Sequence, residues 1–131
     1  MSRQKEATDS PQMTITITGL NEPLRTFRGV PLMSRDGETE PVPLTLGDAL
    51  LNLLGMYGLQ DEQPNMRGKT AMLIGRVGDR LVEAMEAGKD YEAGEAAVGV
   101  LRKVARANCG AYVAQVMASV WRALGEEEGE P

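Results

Sequence analysis

The chain has 131 residues, a formal net charge of −5, 42% apolar residues and no histidine. That length suits one ordinary domain and is short for two. The missing histidines exclude Ser–His and Cys–His nucleophile pairs, imidazole acid–base catalysis and every His-containing metal site.

The charge is concentrated at one end. Residues 1–12 balance Arg3 and Lys5 against Glu6 and Asp9, whereas the tail from residue 125 carries Glu126, Glu127, Glu128 and Glu130. Residues 13–124 are therefore near neutral, without the broad basic footprint that duplex nucleic acid demands. Cys109 is the only cysteine, so neither an intramolecular disulfide nor a cysteine zinc site can form. No apolar stretch follows Met1 and no run approaches the roughly 18 residues of a membrane span, so the expected location is cytoplasmic. Aromatics are few (Phe27, Tyr57, Tyr91, Tyr112 and Trp121), and the core falls to aliphatic residues and eight Met. Methionine fills irregular gaps and also serves adaptable binding surfaces; core filling is the favoured reading here.

Residues 1–12 are polar and aperiodic, a lead-in expected to be disordered. Met13 to Thr18 then alternates strictly, placing Met13, Ile15 and Ile17 on one face of a half-buried strand. Gly19 to Pro23 is turn chemistry. Leu24 to Met33 reads as an extended piece interrupted by Gly29 and Pro31, Asp36-Gly37 as a turn, and Glu40 to Leu44 as extended. Two or three strands of this size form a β-hairpin region, 13–44, that cannot stand alone.

At Thr45 the period changes to that of a helix. Thr45 suits an N-cap, and Leu46, Ala49, Leu50, Leu53, Leu54 and Tyr57 form an apolar stripe. Gly58 to Asn65 reads as a loop. A second helix is predicted from Arg67 to Ala87 with Ile74, Val77, Leu81, Val82 and Met85 on its buried face, stopped by Gly88. Asp90 suits the cap of a third helix carrying Ala97, Val100, Leu101 and Val104. Asn108-Cys109-Gly110 breaks it, and a fourth helix is predicted over 111–124. The expected fold is α+β, mainly α: an N-terminal β-hairpin followed by a bundle of about four helices over 45–124. An acidic tail, 125–131, closes the chain.

Candidate chemistry is thin. Asp79, Glu83 and Glu86 recur at helical spacing beside Arg76 and Arg80. This is the pattern of a solvated face stitched by weak pairs rather than of a metal or acid–base site. Cys109, between two helices, reads as a small structural residue. Gly75-Arg76-Val77-Gly78, flanked by Leu73-Ile74 and Leu81-Val82, resembles the GxxG clamp of KH domains, in which glycines let the backbone approach phosphates. Tyr91 to Ala107 reads as helix where that fold continues as a strand. The competing reading is two small residues inside one continuous helix. Arg102, Lys103 and Arg106 form a modest basic cluster. With Gly75, Arg76 and Gly78 they are the candidate nucleic-acid contacts, in a chain where nucleic acid is the disfavoured partner. Helices three and four resemble a helix-turn-helix only superficially, because the last helix lacks the exposed polar side chains that reach base edges.

Val113, Val116, Met117, Val120, Trp121 and Leu124 make a wide apolar stripe on that last helix. It suits burial against two neighbours, a protein partner or a second copy of the chain. Neither a catalytic residue, a metal ligand nor a cofactor is expected. The order of features, Asp36-Gly37, then Pro43-Leu44-Thr45-Leu46-Gly47-Asp48-Ala49-Leu50-Leu51-Asn52, then Tyr112-Val113-Ala114-Gln115-Val116, resembles small prophage and tailed-phage proteins of uncharacterised function. The resemblance implies a phage origin, action within the host cytoplasm and no active site. The expected function is thus a non-enzymatic phage accessory protein that binds and modulates a host or phage protein. A structural or tail-assembly protein, or a nucleic-acid binder using the GxxG, are the alternatives.

Overall fold

The computed structural model describes residues 14–26, 28–34, 42–108, 110, 112 and 114–125. Met13, Phe27, the Asp36-Gly37 turn, Cys109, Val113 and both tails lie outside the described residues. Among these residues the order is β1 (Ile15–Ile17), β2 (Met33–Ser34), β3 (Val42–Pro43), α1 (Leu46–Met56), a 3-10 turn (Leu59–Asp61), α2 (Arg67–Ala87), β4 (Tyr91–Ala93), α3 (Glu95–Ala107) and α4 (Ala114–Ala123). The fold is α+β and mainly helical, with a short antiparallel strand pair, β2–β3, ahead of the helices.

The alternation in β1 is real: Ile17 is buried and Ile15 half-buried, while Thr14, Thr16 and Thr18 are exposed. Its partner is not the next segment, however. β1 pairs antiparallel with β4, Ile15 opposite Ala93 and Ile17 opposite Tyr91. Tyr91 and Ala93 are buried and Glu92 is exposed, so three residues expected to open the third helix keep a period of two instead. Asp90 therefore caps no helix. α3 starts at Glu95 behind Gly94, which supplies no side-chain cap.

After β1 the chain turns through Gly19–Glu22 and is stitched to the entrance of α1. Leu24 N–H donates to the Leu44 carbonyl, Leu44 N–H to Leu32 and Leu32 N–H to Leu24, each at 2.8 Å. Leu20, Leu24 and Leu44 are buried by this arrangement. Thr45 caps α1 as expected, its Oγ1 accepting from the Asp48 N–H at 3.1 Å. Gly47 N–H donates to the Leu20 carbonyl, and Asn21 Nδ2 donates to the carbonyl of Met85 near the end of α2. A Cβ on Gly47 would lie 2.5 Å from Met85 Sδ, so the absence of a side chain there permits the contact.

The core is one cluster shared by all four helices. Ala49, Leu50 and Leu53 of α1, Val77 and Leu81 of α2, Leu101, Val104 and Ala105 of α3 and Val116 and Val120 of α4 are all but inaccessible. Each buried leucine contributes about 2 kcal/mol of transfer free energy. Helix α2 runs unbroken over the expected range and ends at Gly88 in a left-handed conformation, with Lys89 N–H donating back to the Ala84 carbonyl. Of the residues expected on its buried face, one lies outside it. Val82 is 38% exposed, being one step of about 100° past Leu81. Thr70, Leu73 and Ala84 complete the stripe instead.

Ile17 seals the β1 end of the core and Thr16 beside it faces water. Ile17→Ala should cost about 2–4 kcal/mol in urea unfolding, and Thr16→Ala less than about 0.5. Equal effects would mean that β1 is not docked as described.

Candidate functional site

Helices α2 and α3 do not close on one another along their whole length. Between the first half of α2 and the first half of α3 lies an open groove of about 350 Å³. Its α2 wall is Met66, Lys69, Thr70 and Leu73, and its α3 wall is Ala96, Gly99, Val100 and Lys103. These spacings run i, i+3, i+4, i+7 on both helices, so each wall is one helical stripe about two turns long. The small residues at 96 and 99 keep the groove open: a Cβ built on Gly99 meets nothing within 4 Å. Met66 is 40% exposed at one end, and Met72, one position from Leu73, is 68% exposed on the solvent side.

Under one end of the groove sits the carboxylate of Glu62, only 8% exposed. It follows the 3-10 turn and is enclosed by three donors. Tyr57 Oη donates to Oε2, Thr70 Oγ1 to Oε1 at 3.1 Å, and Lys103 Nζ reaches both oxygens at 3.0 and 3.3 Å. The Tyr57 hydroxyl foremost, then the Lys103 ammonium, holds the Glu62 carboxyl below its ordinary value of 4.5, against the opposing effect of burial. The cluster fastens the α1–α2 connection to α3. With every acceptor direction taken up by these donors, the carboxylate is a tether rather than a general base.

The sequence-predicted contacts are scattered by the fold. Arg102, Lys103 and Arg106 are neighbours on α3, yet each has a different intramolecular task. Lys103 pairs with Glu62. Arg102 donates from Nε and Nη2 to the Leu124 carbonyl at 3.2 and 2.7 Å, satisfying a free acceptor at the end of α4. Gly125 follows with φ +86°, and a Cβ there would meet Arg102 Nη2 at 3.2 Å. Arg106 lies over the Trp121 ring, 5.7 Å from its centroid, a cation–π contact. The basic cluster is thus not one surface.

Gly75, Arg76 and Gly78 stand inside α2, where the helix is continuous. A phosphate clamp needs a loop whose N–H groups are available; here they belong to the helical ladder. Close packing requires neither glycine. A Cβ on Gly78 would make only an ordinary contact, 3.9 Å from Leu51 of α1, and one on Gly75 would meet nothing within 4 Å.

Of the roles open to the α4 stripe, burial against neighbouring elements is the one seen, and the partner or oligomer face is not. Val116, Met117, Val120 and Leu124 are buried in the chain's own core, and Trp121 is half-buried beneath Arg106. Val113 lies outside the described residues. The four buried residues are therefore not a surface for a partner or a second copy. Helices α1 and α3 pack against this helix, which periodicity within it could not reveal.

Asp79, Glu83 and Glu86 are exposed on α2. Among the described residues no group of three or more His, Cys, Asp or Glu is placed to hold a metal ion, and no helix is long and apolar enough to cross a membrane. The groove and the Glu62 tether were not anticipated. Their one signal was Thr70, a polar residue on the buried stripe between Met66 and Leu73. Neither a known protein family, a curated protein nor a solved structure matches the chain.

A group whose folded pKa is depressed stabilises the fold above its unfolded value, and that contribution is lost as pH falls through the folded value. A carbon-detected NMR titration should place the Glu62 midpoint below 4.5. Glu62→Gln should remove the part of the acid destabilisation that falls below that pH. A Glu62 midpoint at or above 4.5 would contradict the tether.

Proposed function

We propose that this chain is a non-enzymatic accessory protein of phage origin that acts by binding another protein, and that the α2–α3 groove is where it does so. The observation that carries this reading is the groove itself: two mainly apolar helix stripes left open to solvent beside the core. An open apolar cleft of this kind costs solvation free energy in the free protein and gains it back on occupancy. Met66 and Met72 beside it suit a surface that adapts to its partner, since the unbranched thioether side chain repacks at little cost.

The phage origin rests on the resemblance of the Asp36-Gly37, Pro43-to-Asn52 and Tyr112-to-Val116 segments. Nucleic acid fits the groove poorly. Its walls offer no aromatic platform for bases, and Lys103 is already engaged by Glu62. The partner is a host or phage protein; a virion protein in that place would make the role one of assembly.

Leu73→Arg puts a charge at the centre of the α2 wall while leaving its aliphatic stem able to lie along the helix. Affinity capture from bacterial host lysate should return one dominant protein with the wild type and with Thr16→Ala. With Leu73→Arg its yield should fall about tenfold, at a melting temperature close to wild type. Undiminished capture by a folded Leu73→Arg protein would remove the groove from the function.

A further inference from the structure

The charges around the groove are one-sided. Residues 67–78 of α2 carry Arg67, Lys69 and Arg76 and no acidic side chain, and the first acid, Asp79, comes after the groove has ended. Lys69 and Arg76 are seven residues apart and so lie on the same side of the helix, with exposed Met72 between them. Both are exposed, and neither has an ion pair or hydrogen bond among the described residues. The opposite wall is different. It offers Ala96 and Gly99, begins just after Glu95, and its one cation, Lys103, is shared with Glu62.

From this asymmetry we infer that the groove takes an acidic amphipathic helix, a deepening that rests on the protein-binding reading above. Two parallel stripes two turns long form the seat for a third helix. The apolar residues of the incoming helix, at i, i+3, i+4 and i+7, meet Met66, Leu73 and Val100. Its closest backbone approach is over Gly99, where nothing blocks it. Its carboxylates lie over Lys69 and Arg76, on the α2 side only. This fixes the rotation of the helix about its axis and excludes basic helices by like charge.

A displayed library of random 20-residue peptides, panned on the full chain and counter-selected on Leu73→Arg, tests this without presupposing a partner. The surviving pool should be net acidic, with apolar residues at helical spacing. Representative peptides should bind Lys69→Glu about fivefold more weakly than wild type, and raised salt should weaken wild-type binding. Lys69 is exposed and outside the core, so this variant folds whether or not Leu73→Arg does. A neutral or basic pool, or acidic peptides indifferent to Lys69→Glu, would overturn the acidic helix while leaving a peptide-binding groove in place. The absence of any pool that separates wild type from Leu73→Arg would overturn both readings. Displacement of the peptides by a random single-stranded oligonucleotide would instead assign the basic side of α2 to nucleic acid.

Discussion

Helix α3 is held by α1, α2 and α4 and entered through β4, so the remaining elements are arranged with respect to it. Six of its thirteen residues are buried, and all of these but Leu101 are alanine or valine: Ala97, Val98, Val100, Val104 and Ala105. Small side chains at these positions let three helices crowd one without overpacking. Once α3 is enclosed in this way, only a narrow strip of it is free to do anything else. That strip is where Ala96, Gly99 and Lys103 form the groove wall and where Arg102 and Arg106 reach toward α4.

The polar contacts follow the same geometry. Each cation of α3 leaves the helix in a different direction and finds a different acceptor: a carboxylate, a helix-end carbonyl and an indole face. Two of these are more than a surface pair between flexible side chains. Glu62 is enclosed, and the Leu124 carbonyl at the end of α4 is an acceptor that needs a donor, which Arg102 supplies. Charges that look like a patch in one dimension are thereby converted into three attachments, two to α4 and one to the connection between α1 and α2.

How much of this was legible depends on the range of the interaction. Thr45, Gly88 and the limits of α2 were readable because capping and helix period are local, decided within a few residues. Val82 was misplaced because a stripe read from sequence has a width of about one residue on either side. Tyr91–Ala93 was taken for helix because three residues carry too little period to outweigh an adjacent Asp, and the partner that makes them a strand is Ile15–Ile17, far away in the chain. The groove was invisible for a similar reason: Met66, Leu73, Ala96 and Val100 are ordinary members of two stripes, and only the separation of the helices makes them a site. The α4 face failed in the opposite sense. Its apolar width was read correctly, but what covers it comes from the rest of the chain.

The pairing of β1 with β4 also sets an order of events. The first strand leaves the ribosome before any residue of its partner exists, and α1 and α2 are completed in between. Its ladder can close only once Tyr91–Ala93 has been made, at the entropic cost of joining distant segments. Until then the apolar side chains of Ile15 and Ile17 have no sheet to enter, and the helices must gather without the strand that finally seals them. The helices need only neighbours in sequence, whereas this ladder joins segments more than about seventy residues apart and carries the larger entropic cost of closure.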